Sequence, residues 1–420
     1  MKVLLASALI LDKRSPHHQK KKNVLLHNGI IAEVGDKKFT ADKVVDATGM
    51  ILSPGWFDLG CFSGDPGMES KEDLHSLARA AAAGGFTEVA VLPNTAPPIQ
   101  SKNEVSYIIQ HNPDRLVQIH PIASVTRGNK GEDLTEMIDL NHAGAVAFSD
   151  GLKSLWHTDI FLKALQYLQS FDGLLIDHAE DPWISLFGQM HEGPVSTALG
   201  LKGLPTIAED VTAARNLELL GYAGGRLHFS RVSSPKTLDL IKSARKKGLQ
   251  VTCDMIAYQP LLNDQLLTSF DTNYKVKPPL RSQAENELLI KALRDGVVDV
   301  LTSGHVPHDD ESKVVEFDQA EFGMINLQTF ASQLTALSAR VEMEELIHRV
   351  SVAPRELLKR ELPVIEKGAA VNLTLFDPQH EWVFDEAANA SKSKNSPWLG
   401  KTLTGKAMGV FFQNRHSLHV

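Results

Sequence analysis

Two rhythms of hydrophobic and polar positions divide this chain. Residues 1–50 carry short apolar or β-branched runs at 3–11, 23–26, 30–34 and 44–46, with His27-Asn28-Gly29 turning between two of them. Runs of this length, bounded by turn residues, predict strands. From Ile51 the rhythm becomes strand, loop, helix, repeated. Strands are expected at residues 51–59, 88–92, 117–122, 145–148, 174–178, 227–232, 250–255 and 298–302. Between them, helical spacing is expected at 71–83, 133–142, 207–220, 235–247 and 283–294, the first stopped by Gly84-Gly85. Glycine after the last apolar position is an ordinary helix stop. Eight strands alternating with helices predict parallel βα units closed into a (β/α)8 barrel. The rival, an open doubly wound sheet, calls for G-x-G-x-x-G after its first strand. Leu59-Gly60-Cys61-Phe62-Ser63-Gly64 does not match it. Strand patterning returns at 370–376 and 382–384, interrupted by Asp377-Pro378, and a final strand is expected at 407–412. The two chain ends look alike. The expected architecture is therefore α/β: a TIM-like barrel over residues 51–365, beside a small β-sandwich domain built from residues 1–50 and 366–420.

Composition narrows the function classes. The chain has 420 residues, 43% hydrophobic and 22% charged, which is globular and not disordered. A net charge of −8 gives no support for nucleic-acid binding, which needs a basic face. No apolar run approaches the ~18 residues of a membrane span. Two cysteines, Cys61 and Cys253, exclude a disulfide scaffold and fit a reducing cytoplasm. Lys2 and the apolar run after it loosely imitate a signal peptide. The run is short and Asp12-Lys13-Arg14 follows at once, so a first strand is expected there. Lys20-Lys21-Lys22 reads as a solvated loop.

In such a barrel, chemistry sits at the carboxyl ends of the strands. Those ends read Asp58-Leu59-Gly60-Cys61-Phe62, Pro93-Asn94-Thr95, Ser149-Asp150-Gly151, Asp177-His178-Ala179-Glu180-Asp181, His228-Phe229-Ser230-Arg231 and Ser303-Gly304-His305-Val306-Pro307-His308. Further on lie Gly203-Leu204-Pro205, Ala208-Glu209, Lys275-Val276 with Pro278-Pro279-Leu280-Arg281, Leu375-Phe376-Asp377-Pro378 and Ser391-Lys392-Ser393. In order and spacing, together with Pro54-Gly55 and Asp65-Pro66-Gly67, these resemble the dihydroorotases of the multifunctional-complex type, in the amidohydrolase superfamily. The resemblance runs along nearly the whole chain. It implies a barrel of pyrimidine biosynthesis that opens or closes the cyclic amide of dihydroorotate. In that chemistry zinc activates water and polarises the carbonyl, and a carboxylate moves protons. The family's ligands are a His-x-His on the first strand, an aspartate after the fourth, histidines after the fifth and sixth, and an aspartate after the eighth that doubles as general base.

This chain departs from that set. The His-x-His positions are Gly60 and Phe62, the strand-six histidine is Arg231, and the strand-eight aspartate is Gly304. Asp150 and His178 are the remnant ligand positions. On the substrate side, the family's arginine is Gly64 and its asparagine is Lys277, while Asn94 and His308 persist as pocket residues with Lys277. A catalytic zinc needs three protein ligands and an open position. Two inherited ligands fall short of that, and His305 or His308 would have to complete the set. Cys61 is expected to face away from the interior if positions 60 and 62 face into it, because strand side chains alternate. His228 reads as a satisfied strand histidine. Glu180 and Asp181 are expected to orient neighbours, and Asp309 and Asp310 lead away from the strand end. Arg231, with Lys277, is expected to balance the charge of Asp150.

The expected function is thus a dihydroorotase-like pseudoenzyme without catalytic residues and with no metal expected, serving as a non-catalytic scaffold or partner subunit. The resemblance implies assembly with aspartate transcarbamoylase or with an active dihydroorotase, and a homodimer. One alternative is an active cyclic-amide hydrolase with zinc at Asp150, His178 and His305. A second is a metal-free small-molecule binding protein.

Overall fold

The computed structural model describes residues 1–111 and 115–419. The expected strand at 51–59 is two strands, Ile51–Pro54 and Trp56–Cys61, separated at Gly55. A β-carbon at Gly55 would sit 2.0 Å from Asn372 Oδ1 and 2.2 Å from Thr87 Oγ1, so only glycine lets the chain pass there. The break hands the chain from one sheet to another. Ile51–Pro54 pairs with Lys2–Ile10 and Asn372–Phe384, so it belongs to the sheet of the chain ends and not to the barrel. That sheet runs Arg415–Leu418, Lys401–Phe412, Asn372–Phe384, Ile51–Pro54, Lys2–Ile10, Lys21–His27, Ile30–Gly35, with Lys43–Asp46 also on Lys2–Ile10. Residues from both ends share its core, among them Leu5, Val24, Ile31, Leu373 and Phe411.

Two further expectations change at the C-terminal end. The runs at 370–376 and 382–384 are one strand that continues through Asp377-Pro378, its pairing irregular between Asp377 and Glu381. Proline is tolerated in a strand at such an irregularity. The strand ending at Phe412 is not the last, because Arg415–Leu418 folds back on it. Its polar, half-exposed residues left no apolar rhythm to read.

Eight parallel strands form the barrel: Trp56–Cys61, Phe86–Val91, Gln118–Ala123, Ala147–Phe148, Leu174–Asp177, Arg226–Phe229, Val251–Ile256 and Val300–Thr302. The first and last meet where the Phe62 N–H donates to the His305 carbonyl at 3.0 Å and the Ser303 N–H donates to Asp58 Oδ1 at 2.6 Å. Phe57, Leu59, Ala90, Ile122, Ala147 and Ile176 cluster within the ring of strands. Outside it, helix Leu74–Gly84 shows how sequence sets an element. Asp73 accepts from the Ser76 N–H at its start, and Gly85 ends it in the left-handed region. Its Leu74, Leu77 and Ala81 join Phe86 and Val89 in the main core. Burial of that apolar layer, at roughly 25 cal/mol per Å2, is what holds helices to strands.

A charged network ties the barrel to the last helices. Fully buried Arg355 donates through Nε and Nη2 to Glu88 Oε1 at 3.0 and 2.7 Å, and His120 Nε2 lies 2.8 Å from Glu88 Oε2. Burial alone would raise the Glu88 carboxyl, but Arg355 and His120 outweigh it and hold it at about 2.

Candidate functional site

The strand ends converge on one mouth, and each residue there can be followed to its partners. Strand Trp56–Cys61 carries an extra residue at Gly60, with φ of +107° where the register slips between Leu59 and Cys61. Cys61 is buried among the helical layer with its Sγ 3.6 Å from the Ala90 carbonyl, and burial raises its thiol pKa. Phe62 is buried at the closure.

Asp150 is buried, and its carboxylate is turned into protein donors. Oδ1 accepts from the N–H of Val125 at 3.0 Å and of Thr126 at 2.9 Å, and Oδ2 accepts from the Thr126 hydroxyl. Burial outweighs these donors and raises its pKa to about 6. The expected pairing with Arg231 and Lys277 does not form, because the loop amides satisfy Asp150 locally. Lys277 instead lies 2.7 Å from Glu180 Oε1, and Ser185 Oγ donates to the same oxygen at 2.6 Å. Burial pushes Glu180 up, but His178 and Lys277 outweigh it and hold it at about 2. His178 Nε2 is 3.7 Å from Glu180 Oε2, and its Nδ1 is buried without a hydrogen-bond partner among the described residues.

Arg231 crosses the mouth. It is buried at φ +58°, and its Nη2 donates to the Gly60 carbonyl at 3.1 Å. Its backbone N–H donates to Asp254 Oδ1 at 2.7 Å. Burial lowers its pKa, opposed by the nearby Tyr258, Asp254 and Asp58. A guanidinium stays charged under those conditions. A fixed cation thus spans the ends of the first and sixth strands.

The remaining residues are held by the protein. Asn94 Nδ2 donates to the Asp150 carbonyl at 3.0 Å, and its Oδ1 accepts from the Leu152 N–H at 2.9 Å. His308 lies between Lys71 Nζ, 3.1 Å from Nδ1, and the Phe322 carbonyl, 3.1 Å from Nε2. Burial and the Lys71 charge lower its pKa to about 4, so the neutral ring accepts from Lys71 and donates to Phe322. His305 Nδ1 accepts from the Asn326 N–H at 3.0 Å, which leaves its Nε2 proton facing Glu72 Oε2 at 3.4 Å. His228, fully buried, lies 3.0 Å from Asp254 Oδ2 and 2.8 Å from Thr252 Oγ1. Gly304 has φ +65°, and a β-carbon there would come within 2.6 Å of Ile256 Cγ2.

Zinc in such a mouth requires three side chains with free lone pairs aimed at one point. Asp150 gives both lone pairs of Oδ1 to amides and one of Oδ2 to a hydroxyl, and His305 Nδ1 accepts from an amide, which leaves the proton on Nε2, an atom without a hydrogen-bond partner among the described residues. No group of three or more His, Cys, Asp or Glu able to hold a metal occurs among the described residues. The residues present do not fit the group. Sequence reasoning passed over Asp254, the partner of both Arg231 and His228. Its one signal was a lone carboxylate inside the apolar run of the seventh strand.

Comparison with known proteins adds the family context. A family model described as Dihydro-orotase-like matches residues 49–237. A protein named Dihydroorotase from Citrifermentans bemidjiense is 38% identical over 391 residues, 92% of this chain and 92% of the relative. Another so named from Syntrophus aciditrophicus is 37% identical over 99% of each. Among solved structures, the L-hydantoinase (dihydropyrimidinase) from Arthrobacter aurescens superposes with a TM-score of 0.84 at 21% identity, covering 100% of this chain and 97% of that one. A D-hydantoinase structure gives 0.82 at 20% identity, covering 100% and 95%. At those identities the superpositions establish the fold alone, a (β/α)8 barrel beside a sheet domain.

Proposed function

The chain belongs to the dihydroorotase-like family, and we propose that within it this protein is a non-hydrolytic member of pyrimidine biosynthesis, a scaffold or partner subunit. The observation that carries this reading is the Arg231 guanidinium bonded to the Gly60 carbonyl. Both residues stand where the family resemblance places zinc ligands. A divalent ion about 4 Å from that guanidinium would feel roughly 8 kcal/mol of repulsion at an effective dielectric of about 20. Gly304 offers no proton acceptor, and Asp150 faces amides instead of an open site. Fold and chemistry are separable, so a barrel of this kind outlives its site. The partners in keeping with this role are aspartate transcarbamoylase or an active dihydroorotase.

The name that relatives share supports a second reading. Proteins named Dihydroorotase match at 37–38% identity over 92–99% of the chain, as an active hydrolase would. On that reading zinc sits at Asp150, His178 and His305, which requires His305 to release the Asn326 amide.

Zinc content after dialysis against buffered zinc, with dihydroorotate turnover on the same sample, separates the two. The first reading expects zinc far below one per chain and no turnover. About one zinc per chain with turnover establishes the second. Size-exclusion chromatography with the transcarbamoylase tests the partner role, and independent elution at micromolar concentration refutes it.

A further inference from the structure

Away from the barrel mouth, a cavity of about 490 Å3 opens between helix Leu74–Gly84 and the last strands of the chain-end sheet. Its volume lies within the range of small-molecule pockets, roughly 300–1,000 Å3. Its titratable lining is wholly basic. His75 and Arg79 come from one face of the helix, Lys406 from strand Lys401–Phe412, and His419 from the tail after Arg415–Leu418. No carboxylate lines the cavity among the described residues, although the chain as a whole carries a net charge of −8. Arg79 forms no ion pair or hydrogen bond among the described residues, and it is exposed at the rim. Lys406 Nζ lies over the Trp382 ring, 5.7 Å from its centroid, and reaches the His419 carbonyl only at 3.4 Å. Apolar groups, including Leu116, Val117 and Trp382, form most of the remaining wall, with Gln328 and Ser417 as its uncharged polar members.

Burial lowers the His419 pKa, so the fixed charges facing the hollow are Arg79 and Lys406, and two like charges do not share a hollow without cost. An anion between them removes that cost and receives charge-assisted hydrogen bonds, and an apolar wall beside them adds area burial. We propose that this cavity binds a small molecule bearing an oxyanion, a carboxylate or a phosphate monoester, on a compact apolar body. The oxyanion lies between Arg79 and Lys406, and the body lies along Leu116 and Val117. The site is remote from the mouth and stands whether or not the barrel hydrolyses anything.

The probes are phenyl phosphate, benzoate and inorganic phosphate, titrated calorimetrically into the full chain. Phenyl phosphate or benzoate is expected to bind saturably, one per chain, with affinity falling as salt rises. The tighter of the two identifies the oxyanion. Inorganic phosphate is expected to bind at least about tenfold more weakly than phenyl phosphate, for want of the body. Arg79→Ala and Lys406→Met should each weaken binding about tenfold, with thermal unfolding checked alongside. Arg79 is exposed, so that variant folds even if Lys406→Met disturbs Trp382. Absence of saturable binding by either aromatic probe up to about 10 mM overturns the proposal, as does unchanged affinity in Arg79→Ala. Inorganic phosphate binding as tightly as phenyl phosphate overturns the apolar half of it.

Discussion

Adding a side chain at position 304 should damage the barrel, and the structure sets the size of the damage. Gly304 follows the eighth strand at φ +65°, where a side chain other than glycine costs about 1–2 kcal/mol. A β-carbon there would lie 2.6 Å from Ile256 Cγ2 and 2.9 Å from its Cδ1. Ile256 is fully buried, and its β-branch leaves little freedom to turn away. Forcing a group into a packed core costs about 1–3 kcal/mol. Gly304→Ala should therefore lose about 2–5 kcal/mol, a large part of the roughly 5–15 kcal/mol that holds a protein folded. Gly304→Asp gains on the backbone term, since aspartate tolerates that region better, but it adds a carboxylate to a buried site. The assay is urea unfolding followed by circular dichroism, comparing midpoints at constant slope. Ile256→Ala in the same chain should make Gly304→Ala cheaper, with a coupling of at least about 1 kcal/mol. The reasoning fails if Gly304→Asp unfolds within about 0.5 kcal/mol of the wild type, or if it takes up zinc. Either result would mean that the loop after the eighth strand yields to a side chain at position 304.

Asp150 offers a sharper contrast. Asp150→Ala strands two buried amides at about 1–3 kcal/mol each, whereas Asp150→Asn keeps an acceptor toward them; urea midpoints should separate the two variants widely. Its carboxyl is raised from 3.8 to about 6, so the native state binds more protons between those values and stability falls as pH rises through that window. Asp150→Asn should remove that fall. Glu88 has the opposite sign. Held at about 2 against an ordinary 4.5, it contributes stability that is present above about 4.5 and lost as pH drops toward 2. Glu88→Gln, which leaves Arg355 unpaired, should cost about 3–5 kcal/mol at neutral pH and flatten the acid limb of a stability titration. Arg231→Met should be close to neutral for stability, because the guanidinium has no carboxylate in ion-pair contact among the described residues; a loss above about 3 kcal/mol in the same assay would show that its charge is compensated after all.

Local periodicity and glycine or proline punctuation carried most of the architecture. Five helices and the barrel strands were legible because each element's pattern is written in adjacent residues, as in helix Gln283–Arg294, where Ser282 and Glu285 close a capping box and apolar positions recur on one face. Gly60, Phe62, Arg231 and Gly304 could be singled out in the sequence as well, because the family resemblance sets an expected residue at each of those positions. Only the folded chain decided what those residues do. Pairing partners depend on strand register and loop path, which bring residues from distant parts of the chain within a few ångströms. Thus Asp150 found loop amides instead of Arg231, and Arg231 found the carbonyl of a glycine 171 positions earlier. Gly55 divided one apolar run between two sheets because Asn372 and Thr87 leave no room for a β-carbon. The basic cavity joins residues 75 and 79 to 406 and 419, a juxtaposition that no sequence window contains.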